Sequence, residues 1–330
     1  MDLNTLWFIL IGVLFAGFFV LEGFDYGAGI LLPFLGDNDR NRRLIINTIG
    51  PVWDGNEVWM LTAGGAIFAA FPNWYATLFS GFYLALVILL FSLIVRGVAF
   101  EFRSQLASPR WRSTWDWLIF LGGFLPALLW GVAVSNLMQG VPIDAKMNFT
   151  GSLFTLLNPF SLLGGVVFVL LFTLHGAWYL NLRTPAPVRE RSETLAKKLW
   201  LPTLIAAALW IVWSYFTTGT HKPAALSIAL LTALTLIAVR FQFRTGRAFM
   251  VTSLTIIFAV VMVFAGLYPN VMPSTTDPAL SLTIYNASSS PYTLQIMTIV
   301  AAIFVPIVLA YQAWAHWVFR HRVSPEDLEY

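Results

Sequence analysis

The stretch Pro51-Val52-Trp53-Asp54-Gly55-Asn56-Glu57-Val58-Trp59 runs straight into Met60-Leu61-Thr62-Ala63-Gly64-Gly65-Ala66 and then through apolar residues to Phe71-Pro72. Pro51 suits the first turn of a helix, where its missing N–H costs nothing. The residues after it read as a membrane helix that starts with two carboxylates and continues over small residues. Asp54 and Glu57 are three apart, so both project to one side. The preceding apolar run repeats that spacing with Glu22 and Asp25, in Leu21-Glu22-Gly23-Phe24-Asp25-Tyr26-Gly27. No lysine, arginine or histidine lies between Arg43 and Arg96 to neutralise Asp54 and Glu57 from nearby sequence. Acids in lipid-embedded helices are costly, which makes them functional candidates by default.

Working outward, the 330 residues are 58% hydrophobic and 11% charged, where a soluble domain carries about 25% charged residues. Mean hydropathy is +0.75. The chain is therefore expected to be a polytopic membrane protein. Its pI near 9.2 does not point to nucleic acid, because most basic residues sit in the connections between apolar runs. The absence of cysteine excludes disulfides, thiol catalysis and iron–sulfur or zinc-thiolate sites. Met1-Asp2-Leu3-Asn4-Thr5 lacks the positive start of a cleaved signal peptide, so a retained first span is expected. No G-x-x-x-x-G-K-[ST] loop is present, which argues against an ATP-driven pump.

A spanning helix needs about 20 mostly apolar residues. Nine runs qualify: 7–33, 52–71, 75–100, 116–138, 160–182, 199–217, 223–240, 248–268 and 292–319. The longest connections, 139–159 and 269–291, are rich in Pro, Ser, Thr and Asn. With nine spans, the connections holding Arg40, Arg42, Arg43, Arg96, Arg103, Arg110, Arg112, Arg183, Arg189, Arg191, Lys197, Lys198, Arg240, Arg244 and Arg247, and the tail with Arg320 and Arg322, fall on one side. Only Lys146 and Lys222 of the 19 basic residues fall on the other. The positive-inside rule then sets the N-terminus outside and the C-terminus in the cytoplasm. Trp74, Trp111, Trp115, Trp117, Trp178, Tyr179, Trp314 and Trp317 fall at span ends, as an interfacial aromatic belt would. Trp53 and Trp59 are either belt residues or packing residues against a neighbouring subunit.

Counted along the helices at 1.5 Å per residue, Asp25 lies about 27 Å down the first span, and Asp54 and Glu57 lie in the first turns of the second. All four acids are thus expected in the inner half of the bilayer, in one cluster if the two helices are neighbours. Asp54 also suits a helix N-terminus. That role explains Glu57 less well, and the mid-helix Glu22 and Asp25 suit either structural pairing, with Asn47, Asn56 or an arginine of a connection, or proton conduction. A relay needs groups that gain and lose protons near neutral pH, and a carboxyl held out of water is a candidate. Gly64-Gly65 and Gly27-Ala28-Gly29 offer small faces for close helix approach. Of the histidines, only His175 lies well inside a span. It is the one weak candidate for a haem ligand, and no pair of mid-membrane histidines exists to hold a haem axially.

The two acidic motifs and Thr62-Ala63-Gly64-Gly65 resemble subunit II of cytochrome bd-type quinol oxidases. So do Phe79-Ser80-Gly81-Phe82-Tyr83, Trp111-Arg112 with Trp115-Asp116-Trp117, Gln139-Gly140-Val141-Pro142, Leu157-Asn158-Pro159-Phe160, Tyr268-Pro269 with Val271-Met272-Pro273-Ser274, and Ser281-Leu282-Thr283. The resemblance covers almost the whole chain in order. It implies two four-helix bundles plus a ninth helix, divided as 1–140 and 141–330. It implies a multi-pass subunit in the bacterial cytoplasmic membrane, part of a respiratory oxidase that reduces dioxygen to water with electrons from quinol. The partner it implies is a haem-bearing subunit I with low-spin haem b, high-spin haem b and haem d or a b-type substitute. It leaves room for a small single-helix subunit and for a structural quinone bound to this chain. Asp25 and Asp54 match the family's proton route from the cytoplasm. Glu22 and Glu57 join them by spacing, with Trp53 and Asn56 shaping the entry. Two other readings stand beside this one. An independent proton- or cation-coupled transporter would use the same inner-leaflet acids, and a structural scaffold would use them only to pair with its partner.

Overall fold

Local sequence signals set most of the helix ends. The Asp2 carboxylate caps α1 (Leu3–Leu35) by accepting from the Thr5 amide at 2.7 Å, and Asn38 caps α2 (Asp39–Ile49) through the Asn41 amide at 2.9 Å. Proline opens α4 (Pro72–Gly81), α6 (Pro109–Gln139), α8 (Pro159–Arg183), α10 (Pro223–Ala238) and α12 (Pro291–Val318), where no intrahelical N–H bond is lost. The other helices are α3 (Trp53–Ala70), α5 (Tyr83–Phe102), the single turn α7 (Leu153–Leu156), α9 (Val188–Thr217) and α11 (Arg247–Leu267). The computed structural model describes residues 1–243, 246–324 and 326. Arg244, expected in an inner connection, lies outside the described residues.

Eight helices among the described residues are long and apolar enough to cross a membrane: α1, α5, α6, α8, α9, α10 with the turn after it, α11 and α12. The remaining expected span is α3, 18 residues long, whose first turns carry Asp54, Asn56 and Glu57. The expected span 75–100 is broken. The chain leaves α3 at Phe71, forms α4, and turns again at Phe82 before α5. The first connection is also more than a loop. It folds into α2, whose apolar face (Leu44, Ile45, Ile46, Ile49) is buried.

α1, α3, α5 and α6 pack together, as do α8, α9, α10 and α11, and α8 lies against both α1 and α6. The α1–α8 crossing brings backbone against backbone: a Cβ at Gly176 would come within 2.6 Å of Gly27 Cα and 2.7 Å of the Ala28 nitrogen. Gly27 thus does the packing expected of it. Gly64 and Gly65 do not, because Gly65 has no atom near its missing side chain and Gly64 meets only Phe79 at 3.7 Å. They line an apolar cleft of about 670 Å³ together with residues of α4, α5, α6 and α8.

The two long connections meet at one end of the bundle. Val141 donates to the Pro273 carbonyl and Thr275 to that of Val141, both at 3.0 Å. Beside them β1 (Asn270–Met272) pairs antiparallel with β2 (Leu282–Thr283). Gly140 turns into this junction at φ +90°, with the Pro273 carbonyl too close for a side chain. The opposite end gathers arginines. Arg103 Nε and Arg42 Nη1 donate to the buried Asp116 carboxylate at 2.6 and 2.7 Å, and Arg103 and Arg112 each donate to Asp39 at 2.9 Å. These bonds clamp α2 onto the ends of α5 and α6.

Several aromatic residues expected at a headgroup belt belong to the core instead. Trp74 and Trp178 are buried. Tyr179 stacks on Phe24 at 4.0 Å and donates to the Thr48 carbonyl at 2.7 Å. Trp53 stands against Phe100 and Gly97 on α5, and Trp59 against Gly17 on α1, so both pack within this chain. Trp117, Trp314 and Trp317 are exposed, as belt residues would be. Sequence position identifies the end of a span; it does not show whether that side of the helix meets lipid or another helix.

Candidate functional site

The acids expected to cluster stand on α1 and α3, which are neighbours. One helical turn separates Glu22 from Asp25, and both are fully buried. Asp25 Oδ2 accepts a hydrogen bond from the Asn56 amide of α3 at 2.7 Å. Asn56, also fully buried, accepts in turn from Gln312 Nε2 of α12 at 3.1 Å. Glu57 is partly buried, with an 18% exposed side chain. Asp54, one turn earlier, is exposed.

The residue that joins these groups was expected elsewhere. Arg96 belonged, by sequence, to the inner connection after the third span. It lies inside α5 instead, with no exposed surface. Its Nη2 donates to Glu22 Oε1, and also to Glu57 Oε1 at 3.2 Å. Its guanidinium carbon sits 5.0 Å from the centre of the Tyr26 ring, a cation–π distance. The cause is plain: an arginine near the edge of an apolar run can either reach outward to the interface or turn inward, and inward is tolerable only where buried acids meet it. The sequence signal that could have found it is the lone cation in Leu93-Ile94-Val95-Arg96-Gly97-Val98 facing a span with unpaired acids. Gln312 and Tyr26 carried no such signal.

Several polar atoms of the cluster have no hydrogen-bond partner among the described residues: Glu22 Oε2, Asp25 Oδ1, and Arg96 Nε and Nη1. Buried polar atoms of this kind are bonding positions for ordered water. The arrangement is thus a set of titratable carboxyls from two helices, gathered around one permanent cation, with unused hydrogen-bonding capacity. It suits proton transfer better than electron transfer or bond chemistry.

His175 is a poor fit to a haem. Both ring nitrogens are occupied, Nδ1 by Thr252 Oγ1 at 2.7 Å and Nε2 by the Val20 carbonyl at 3.1 Å. The ring stacks on Phe249 at 4.5 Å. Thr252 donates to one nitrogen and the other donates to Val20, which satisfies a neutral imidazole. Ligation would require breaking one of these bonds.

A family model described as cytochrome bd terminal oxidase subunit II matches residues 3–319. The chain belongs to the cytochrome bd terminal oxidase subunit II family. It is 42% identical to "Cytochrome bd ubiquinol oxidase subunit 2" of Bacillus subtilis over 99% of this chain and 98% of the relative. It is 41% identical to "Cytochrome bd-I ubiquinol oxidase subunit 2" of Escherichia coli K12, over 99% and 97% respectively. In fold it is similar to a chain in the structure of bd oxidase from Geobacillus thermodenitrificans, with a TM-score of 0.77 at 18% identity, covering 97% of this chain and 99% of that one. For a bd subunit II chain, the helical, multi-pass architecture described above is the one expected.

Proposed function

We propose that this chain works as the haem-free partner in a membrane quinol oxidase, beside a haem-bearing subunit I, and carries protons from the cytoplasm towards the site of dioxygen reduction. The observation that carries the proposal is the buried cluster of Glu22, Asp25 and Glu57 around a single arginine, with exposed Asp54 one turn away. One guanidinium offsets one carboxylate, and uncompensated charge is costly in a dry interior. Charge balance among the remaining carboxyls therefore involves protons, which is the property a relay needs. Asp54 serves as the entry acid and Asp25 as the inner relay, with Asn56 holding Asp25 in place and Trp53 walling the entry against α5. Water formation consumes protons. Taking them from the inside, while quinol oxidation releases protons outside, charges the bacterial cytoplasmic membrane without a mechanical pump.

The N-terminus-outside orientation is part of this reading. The arginine-rich end with Arg42, Arg103, Arg112 and Arg191 supports it as the cytoplasmic face. The haems, of b type and d type, belong to the partner in this reading, in keeping with the fully engaged His175. The apolar cleft beside Gly64 and Gly65 is suited to an isoprenoid or acyl tail and supports a bound quinone. A small single-helix subunit would sit outside this cluster.

The test is quinol-driven oxygen consumption by the purified complex carrying Asp25→Asn or Asp54→Asn. Loss of a relay acid should slow turnover by about tenfold or more while the haem spectrum stays unchanged. Normal turnover in both variants would remove the proton role and leave the scaffold reading.

A further inference from the structure

Arg96 does more to the cluster than offset charge. Its guanidinium keeps its proton in any protein setting, so it requires a standing anion. Two carboxylates compete for the same Nη2, and they are not equivalent. Glu22 is completely enclosed, whereas Glu57 keeps an exposed edge and the longer contact of 3.2 Å. Asp25, one helical turn from Glu22 on α1, takes its hydrogen bond from Asn56 and none from Arg96. The position of Arg96 is built in: a Cβ at Gly122 of α6 would come within 2.5 Å of Arg96 Cβ and 2.9 Å of the Ser92 carbonyl, so only glycine lets the two helices close there.

We propose that Arg96 is a positioning residue that keeps Glu22 as its standing counter-ion and shares its remaining field with Glu57, so that the transferable protons reside on Asp25 and Glu57 and not on Glu22. This rests on the proton-route reading and refines it. The charged and titratable groups around Arg96 are Glu22, Asp25 and Tyr26 from α1 and Glu57 from α3, with the exposed Asp54 one turn from Glu57. From α12 the neutral Gln312 reaches the cluster through Asn56, and His316 is bonded to the Gln312 carbonyl at 3.0 Å. On α8, His175 is engaged with Thr252 and Val20, and Tyr179 with Thr48.

The experiment measures the pH–rate profile of quinol-driven oxygen consumption in the purified haem-containing complex. In Glu22→Gln, Arg96 is left to Glu57 alone and holds it ionised. Turnover should fall by about tenfold, and the alkaline limb should move to lower pH. In Arg96→Gln the carboxyls lose their cation and the limb should move to higher pH. The double variant Glu22→Gln/Arg96→Gln removes a balanced pair and should recover to within about threefold of the parent, with the limb near its original place. A parent-like profile in Glu22→Gln overturns the proposal, as does a double variant no faster than the slower single one. Arg96→Lys, which keeps the charge, provides a second measure should Arg96→Gln fail to assemble: its limb should stay in place, and a limb displaced as far as in Glu22→Gln counts against the proposal. Asp25→Asn separates the two readings. Normal turnover there removes the proton route itself, whereas slow turnover there with an unmoved limb in Glu22→Gln removes only the role given to Arg96.

Discussion

Asn56 shows how one neutral side chain can organise several charged ones. Its amide donates to Asp25 and its oxygen accepts from Gln312, so α1, α3 and α12 meet at a single residue. A hydrogen bond to a carboxyl that gains and loses a proton contributes about 0.5–3 kcal/mol, the upper end while it is ionised. Asn56→Ala removes both contacts and leaves the Asp25 carboxyl free to turn. Oxygen consumption by the complex should fall by about tenfold, corresponding to the lower part of that range, with the haem spectrum retained. Full turnover in Asn56→Ala would show that the orientation of Asp25 has no bearing on the reaction.

Among the elements, α2 is held by charge as well as by its short apolar face. Asp116 takes Arg103 and Arg42, and Asp39 takes Arg103 and Arg112. Breaking a buried pair leaves the surviving charge uncompensated, at about 3–5 kcal/mol. Asp116→Asn should therefore lower the thermal midpoint of the purified complex by several degrees; an unchanged midpoint would mean that Arg103 finds another anion. Asp37, at the turn between α1 and α2, is a milder case. Hydrogen bonds from Arg191 and Asn41 hold its carboxyl well below the usual carboxylate range. A depressed folded value stabilises above the unfolded value of about 3.9 and is lost as pH falls below it. Protease accessibility of the 36–43 segment should accordingly stay flat from pH 8 to about 5, and rise only below about 4. A rise between pH 7 and 6 would point to a different titrating group.

At the scale of the molecule, α12 is the loosest part. Leu294 is its one buried residue among those described. Trp7 anchors it near one end, donating to the Leu294 carbonyl at 3.2 Å and to Thr298 at 3.1 Å, and Gln312 holds it towards the other. Its apolar faces, with those of α5 and the outer side of α3, are surface for lipid or for a partner subunit. A tagged form of the chain, purified in mild detergent from its native membrane, should bring down a haem-bearing partner with b-type absorption. The same chain expressed without that partner should show no Soret band. A Soret band from the chain alone would reopen His175 as a ligand.

Composition and spacing were enough to establish a multi-pass helical protein, to single out Asp25, Asp54, Glu22 and Glu57, and to favour family membership from motifs spread over the whole chain. These are local properties: apolar run length, three-residue spacing and helix-start chemistry can be read along one dimension. The placement of Arg96, the role of Gln312, the break between α4 and α5, and the folding of the first connection into α2 were decided by tertiary structure. So was the fate of the aromatic residues at span ends, and of Gly64 and Gly65. In each case the outcome depends on which side of a helix faces a neighbour. A buried charge goes wherever an opposite charge from another helix can meet it, because leaving it alone in an apolar interior costs more than any local preference can offset.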